Sequence, residues 1–203
     1  WSVMAKNLFP ETIDKISNKL TPMVATARLI KQEHPDASVV FIGPCASKKL
    51  EASRRTVRSD VDFVITFEEL TGMFEAKGIL LDEIKAMDEM KDATAAGRGY
   101  GVAGGVANAI KECIEQYYPG TPVNIQHAES LAECKKALLL AKAGKMNGCL
   151  IEGMACPGGC IAGAGTNIAI PVAARAVDKF KNEAEKKVPD ESVDQEMVEL
   201  EKE

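Results

Sequence analysis

Apolar residues along this chain repeat in two rhythms, one suited to helices and one to short strands. Residues 2–19 carry helical spacing in two pieces, broken at Phe9-Pro10. Thr21-Pro22 then sets proline at a helix start, with Met23, Ala27 and Ile30 on one face and an end near His34-Pro35. SVVFIG at 38–43 and DFVITF at 62–67 are short, β-branched apolar runs that predict buried strands. Thr66-Phe-Glu-Glu69 has the capping-box pattern and predicts a helix to Lys77, stopped by Gly78. After an irregular stretch over 79–103, a stripe of Val106, Ile110, Cys113, Ile114 and Tyr117 predicts a helix to Tyr118. VNIQHA at 123–128 predicts a third strand, and Ser130-Leu-Ala-Glu133 caps a helix after it. GCLIEGM at 148–154 predicts a fourth strand, and a last helix covers roughly 171–187.

Short apolar strands alternating with helices define an α/β fold. The expected form is a parallel four-stranded sheet with helices on both faces. Residues 1–187 are expected to form one lobe. Residues 188–203 are expected to be an acidic tail, disordered or helical.

Composition narrows the function classes. The 203 residues are 46% hydrophobic and 27% charged, as in ordinary globular proteins. With a net charge of −5 and only a short basic cluster from Lys48 to Arg58, no nucleic-acid surface is expected. No apolar run approaches a membrane span and no signal peptide is visible, so the expected setting is cytoplasmic. Six cysteines in such a chain read as reduced thiols, and a clustered subset suggests metal.

Three of those thiols stand out. Cys45 follows the first strand in GPCASKKLEA, while Cys156 and Cys160 follow the fourth in EGMACPGGCIAGAG. Ligand sites of parallel sheets lie beyond the carboxyl ends of the strands, so all three are expected at one edge of one sheet. A thiolate set of this kind suits iron and sulfide. Gly158, Gly159, Gly163 and Gly165 are candidates to offer backbone N–H groups to it. The plainer alternative is a glycine-rich turn that binds phosphate or nothing, with the cysteines as small hydrophobes. Cys113, Cys134 and Cys149 lie on apolar stripes or within a strand and are read as core. The isolated His34 and His127 are assigned no role.

Together these stretches resemble the iron-only (iron-iron) hydrogenases. GPCASKKLEA is similar to their second signature, Pro-Cys-x-x-Lys-x-x-Glu. EGMACPGGCIAGAG is similar to their third, Glu-x-Met-Ala-Cys-x-x-Gly-Cys followed by glycines. YGVAGGVANAI resembles the Gly-Gly-Val helix start between the two, and the likeness spans roughly residues 1–175.

The resemblance implies reversible formation of hydrogen from protons and electrons at an H-cluster, a 4Fe-4S cubane joined by a cysteine to a two-iron subsite. Cys45, Cys156 and Cys160 would be three of the cubane's ligands, with Cys160 as the bridge. Lys48 would hydrogen-bond a cyanide of the two-iron subsite, and Met154 would pack against that subsite. Ser17 matches a serine of the family's proton route, although a helix-terminal cap accounts for it equally well. Glu51 would orient the loop of Lys48.

Trp1 matches the tryptophan of the first signature, Cys-Cys-Pro-x-Trp, which places the fourth ligand ahead of this sequence. On that reading the chain is the C-terminal part of the catalytic domain, and by itself it would hold no cluster and be inactive. Partners implied are an electron-carrier protein or an upstream ferredoxin-like domain, or a downstream sensor or signalling domain. Gly43 stands where hydrogen-producing members usually have methionine, and Gly163-Ala-Gly-Thr-Asn167 replaces their usual glycine run and Gln-Pro. These departures keep open a hydrogen- or redox-sensing module of low turnover. A relative that binds only a plain cubane, as a scaffold or assembly protein, is a further alternative.

Overall fold

The structure is a computed structural model that describes residues 1–54, 60–85 and 93–190. In chain order the helices and strands are α1 (Ser2–Leu8), α2 (Pro22–Glu33), β1 (Val40–Ile42), α3 (Ser47–Ala52), β2 (Phe63–Ile65) and α4 (Phe67–Ala76). They continue with α5 (Ala95–Arg98), α6 (Gly105–Tyr117), β3 (Asn124–Glu129), α7 (Leu131–Lys142), β4 (Cys149–Met154) and α8 (Ile170–Asn182). Short 3-10 turns cover Pro10–Lys15, Leu81–Glu83, Gly99–Gly101 and Cys160–Ala162.

The chain folds as two compact units. Unit 1 takes Trp1–Ser17, the described part of Met90–Ala162, and Ile168–Pro189. Unit 2 takes the described part of Asn18–Glu89, together with Gly163–Asn167.

The α/β class and the parallel pairing hold, but the four-stranded sheet does not. Among the described residues there are two parallel pairs, β1 with β2 in unit 2 and β3 with β4 in unit 1. Each pair is a β-α-β crossover, through α3 in one case and α7 in the other. Local apolar pattern sets where strands form, whereas which strands pair depends on long-range packing.

In unit 2, Met23, Val24 and Ala27 of α2 pack with Ala52 and Val61, and Phe41 and Val64 lean on that cluster. Successive side chains of a strand face opposite ways. Val40, Ile42 and Phe63 accordingly point away from the cluster and are exposed, Phe63 to 61%. The runs expected as strands buried on both faces are therefore covered on one. Arg28 pairs with Asp60 at 2.9 Å. Asp62 accepts the Val39 N–H at 2.7 Å and the Lys31 ammonium at 2.9 Å, tying α2 to the start of β1. The expected capping box of α4 is present: Glu69 N–H donates to Thr66 Oγ1 at 3.2 Å, and Thr66 N–H donates to Glu69 Oε2 at 2.8 Å. Gly78, in the left-handed region at φ +66°, ends that helix region as expected.

In unit 1, α6 and α7 pack on β4, and α7 also packs on β3. Phe9 and Ala5 meet Leu138 of α7, while Ala96, Ala109 and Val188 form a second cluster. The last helix stops at Asn182, short of the expected 187. Beyond it, Lys186 and Lys187 carbonyls accept the N–H groups of Ala95 and Ala96, each at 2.8 Å. Those are first-turn donors of α5, which have no partner within their own helix. Arg98 joins the same region by donating to Ala93 O and Phe180 O at 2.9 Å, with its guanidinium 4.2 Å from the Phe180 ring centre. Of the expected acidic tail, residues 191–203 lie outside the described residues. No helix among the described residues is long and apolar enough to cross a membrane.

Candidate functional site

The fourth strand delivers the Cys-Pro-Gly-Gly-Cys turn. Met154 ends β4 opposite Glu129, the last residue of β3, and Cys156 and Cys160 follow in unit 1. Cys156 is half-buried and Cys160 exposed, and none of the six cysteines is in a disulfide. Gly158 and Gly159 both sit in the left-handed region, at φ +94° and +90°. A Cβ on Gly159 would stand 2.4 Å from the Ala103 nitrogen, so only glycine lets the two backbones approach this closely.

Hydrogen bonds of the protein itself hold the turn. Gly159 N–H donates to Cys156 O at 3.0 Å, and Ala103 N–H donates to Gly158 O at 3.1 Å. Gly158 N–H donates to Glu129 Oε2 at 2.8 Å. In unit 2, Gly165 N–H donates to Pro44 O at 3.0 Å. Three of the four glycine N–H groups expected to serve an anionic ligand are thus bonded to protein acceptors. Free backbone donors at such turns are readily taken by nearby carbonyls or carboxylates, since a buried N–H is costly unpaired.

Glu152, which opens the third signature, is 9% exposed. Its carboxylate accepts the N–H groups of Gly104, Val106 (3.0 Å) and Ala107 (3.2 Å) at the start of α6, and His127 Nδ1 lies 3.3 Å away. A carboxylate at a helix N-terminus is stabilised by the unpaired donors and the helix dipole. The strand that carries the thiols is therefore bolted to the Gly-Gly-Val helix.

The second signature lies in unit 2. Cys45 is half-buried in the turn between β1 and α3. Lys48 Nζ meets Glu51 Oε2 at 2.7 Å, and Glu51 Oε1 accepts the Thr21 hydroxyl. Glu51 thus does hold Lys48, as the motif suggested. Gly43 donates to Ile65 O at 3.1 Å. A Cβ at position 43 would come 2.8 Å from the Phe41 ring, which fills the space a side chain there would need.

The expectation that all three thiols follow strands of one sheet is overturned: Cys45 follows the β1–β2 pair and Cys156 the β3–β4 pair. Ser17 is not the N-cap of α2, which takes Thr21. It lines a unit 1 cavity of about 270 Å³ with Trp1, Cys134, Leu138 and Gly153. Of the cysteines read as core, Cys134 is buried, and burial pushes its thiol pKa up. Cys113 and Cys149 are only half-buried, the latter receiving Asn124 Nδ2 at 3.3 Å.

The donor set fits an iron–sulfur group in kind, since soft thiols on a glycine turn are the usual holders of such clusters. It does not fit one in number within either unit. Among the described residues, no three histidine, cysteine or carboxylate side chains are grouped to hold a metal ion.

The family model for the iron only hydrogenase large subunit, C-terminal domain, matches residues 1–164. This chain belongs to the iron-only hydrogenase family. The periplasmic Fe hydrogenase large subunit of Nitratidesulfovibrio vulgaris is 27% identical over 221 residues, covering 88% of this chain and 52% of that protein. Iron hydrogenase 1 of Clostridium pasteurianum is 26% identical over 206 residues, covering 81% of this chain and 36% of that protein. The chain therefore spans about half the length, or less, of these hydrogenase relatives. Among solved structures, an apo FeFe-hydrogenase variant from Chlamydomonas reinhardtii superposes with a TM-score of 0.68 at 21% identity, over 97% of this chain and 68% of that one. That likeness concerns the hydrogenase fold. Glu129, which bonds the thiol turn, carried no signal in the sequence; Ser130 carried one only as a helix cap, and Glu152 one as the opening residue of the third signature.

Proposed function

We propose that this chain is the C-terminal part of a hydrogenase catalytic domain whose whole protein interconverts protons, electrons and hydrogen. The observation that carries the reading is the Cys156–Cys160 turn, with its two left-handed glycines, at the end of β4 in a member of this family. Cys45, Cys156 and Cys160 would be ligands of the 4Fe-4S cubane, and Cys160, the exposed thiol of the turn, would bridge to the two-iron subsite. That cluster supplies the hydrogen chemistry when bound.

The chain's own groups have simpler tasks. Lys48, oriented by Glu51, is a hydrogen-bond donor toward an anionic ligand of the two-iron subsite. Met154 offers a soft, polarizable contact beside the turn. Ser17, on the cavity in unit 1, is a candidate to pass protons. An electron-carrier protein or a ferredoxin-like domain is the proposed partner. A reducing, cytoplasmic setting suits thiols that must stay reduced to bind metal.

The test is made in the whole protein, loaded with iron, sulfide and the two-iron subsite under exclusion of oxygen. Serine at Cys45, Cys156 or Cys160 is expected to abolish hydrogen uptake and the cubane's paramagnetic signal. Lys48→Ala should lower uptake by about 10²–10³-fold and leave the cubane signal in place. Full hydrogen uptake by Cys160→Ser would overturn the proposal.

A further inference from the structure

Gly158, midway between the two thiols of the turn, is held at both ends of its backbone. Ala103 N–H donates to its carbonyl at 3.1 Å, and its own N–H donates to Glu129 Oε2 at 2.8 Å. Gly158 and Gly159, with φ at +94° and +90°, lie between Cys156 and Cys160, so this glycine pair helps set how the two thiols are presented. Ala103 contributes only backbone. Glu129 reaches the turn's backbone with its side chain.

Glu129 is itself fixed on three sides. It closes β3 in register with Met154. Its N–H donates to Glu133 Oε2 at 2.8 Å, and the next N–H, of Ser130, donates to Met154 O at 2.8 Å. Ser130 stands at φ +93°, the one described non-glycine residue in that region. Such a conformation is unfavourable for a side-chain-bearing residue and persists only where surrounding bonds impose it. Here it turns the chain sharply from β3 into α7 and leaves the Glu129 carboxylate facing Gly158. An ionised acceptor makes a shorter and stronger bond than an amide or hydroxyl would.

We propose that Glu129 is the positioning residue of the Cys156–Cys160 turn, presetting the two thiols before any ligand arrives. The inference rests on the reading that these thiols bind metal only for its use, not for its geometry. Glycine N–H groups in this turn then serve shape, and the acidic side chain stands where an anion-binding reading of the glycines would put the ligand.

The experiment uses the whole protein that carries this chain, as Glu129→Ala, Glu129→Asp and Glu129→Gln. Amide exchange is followed by mass spectrometry over peptides spanning 155–162, together with the alkylation rates of Cys156 and Cys160. Loss of a bond to a charged acceptor should speed exchange there by about tenfold or more in the Ala variant. The Asp variant keeps the charge but is a methylene too short, and should loosen the turn as Ala does. The Gln variant keeps an acceptor oxygen of the same reach without the charge, and should fall between the parent and the Ala variant. Exchange unchanged in both the Ala and Asp variants overturns the proposal, as does a Gln variant as loose as Ala. A parallel measurement of iron and sulfide uptake by Cys156→Ser, made in the whole protein against its parent, separates the two readings. Uptake unchanged in that variant, with the turn loosened in Glu129→Ala, would sink the cluster reading and leave the positioning role standing.

Discussion

The carboxylate of Glu152 stands 3.0 Å from the Val106 nitrogen, and so joins the strand that carries the thiols to the first turn of α6. The same carboxylate takes the Gly104 and Ala107 N–H groups. Removing it strands three donors in a buried place. Glu152→Ala should therefore lower stability by about 3–5 kcal/mol, and Glu152→Gln, which turns an NH₂ toward those donors, by about 2 kcal/mol. Urea unfolding followed by circular dichroism measures both. A Gln variant as stable as the parent would show that the charge has no part in the cap.

Two glycines should respond oppositely to alanine. A Cβ on Gly159 meets the Ala103 backbone at 2.4 Å and sits at φ +90°, so Gly159→Ala should cost about 2–4 kcal/mol. Gly72 lies within α4 with nothing within 4 Å of its would-be Cβ. Gly72→Ala should gain about 0.5–1 kcal/mol from helix propensity. Denaturation midpoints of the two variants, taken side by side, decide the matter.

Acid should weaken unit 2 through Asp62. The Val39 N–H, first, and the Lys31 ammonium hold its carboxyl below the usual aspartate value. A folded-state pKa below the unfolded one contributes stability above the unfolded value, about 3.9, and loses it as pH falls through the folded value. The Asp62→Asn variant should lack that contribution and show a flatter stability profile below about pH 4. Thermal midpoints of parent and variant between pH 7 and pH 3 check it, with parallel curves as the contrary result.

Ser130→Gly should stabilise the chain. Relief of a side chain at φ +93° is worth about 1–3 kcal/mol. Against that stand a few tenths for the lost serine cap and about 0.4–1 kcal/mol for the freer unfolded chain. A net gain near 1 kcal/mol is expected in denaturant unfolding, and a net loss would mean that the Ser130 bond to the Glu133 N–H outweighs the backbone strain.

What could be read from the sequence was local. Thr21-Pro22, the Thr66–Glu69 box and the Gly78 stop each combine a cap with a periodic apolar face, and each marks a helix boundary that the structure keeps. The helix α3 escaped notice because Ser47–Ala52 has two adjacent lysines and no apolar stripe. Strand pairing escaped as well, because Ile42 against Ile65 and Glu129 against Met154 are choices made by distant parts of the chain. The same division runs through the site. The candidate ligand cysteines stand out by spacing, while Glu129 becomes visible only when β3 and β4 set it opposite Met154.

The order of synthesis gives the interleaved units a practical meaning. Unit 1 draws on Trp1–Ser17 and again on residues up to Pro189, and unit 2 needs Gly163–Asn167, where Gly165 bonds Pro44. At about 5–20 residues per second, Trp1–Ser17 waits roughly ten seconds on the ribosome for its partners in unit 1. The third signature straddles the boundary, giving its cysteines to one unit and its last glycines to the other. Neither unit can close around its final segment until that signature has emerged, so the cysteine turn is framed only after the earlier segments of both units have been made.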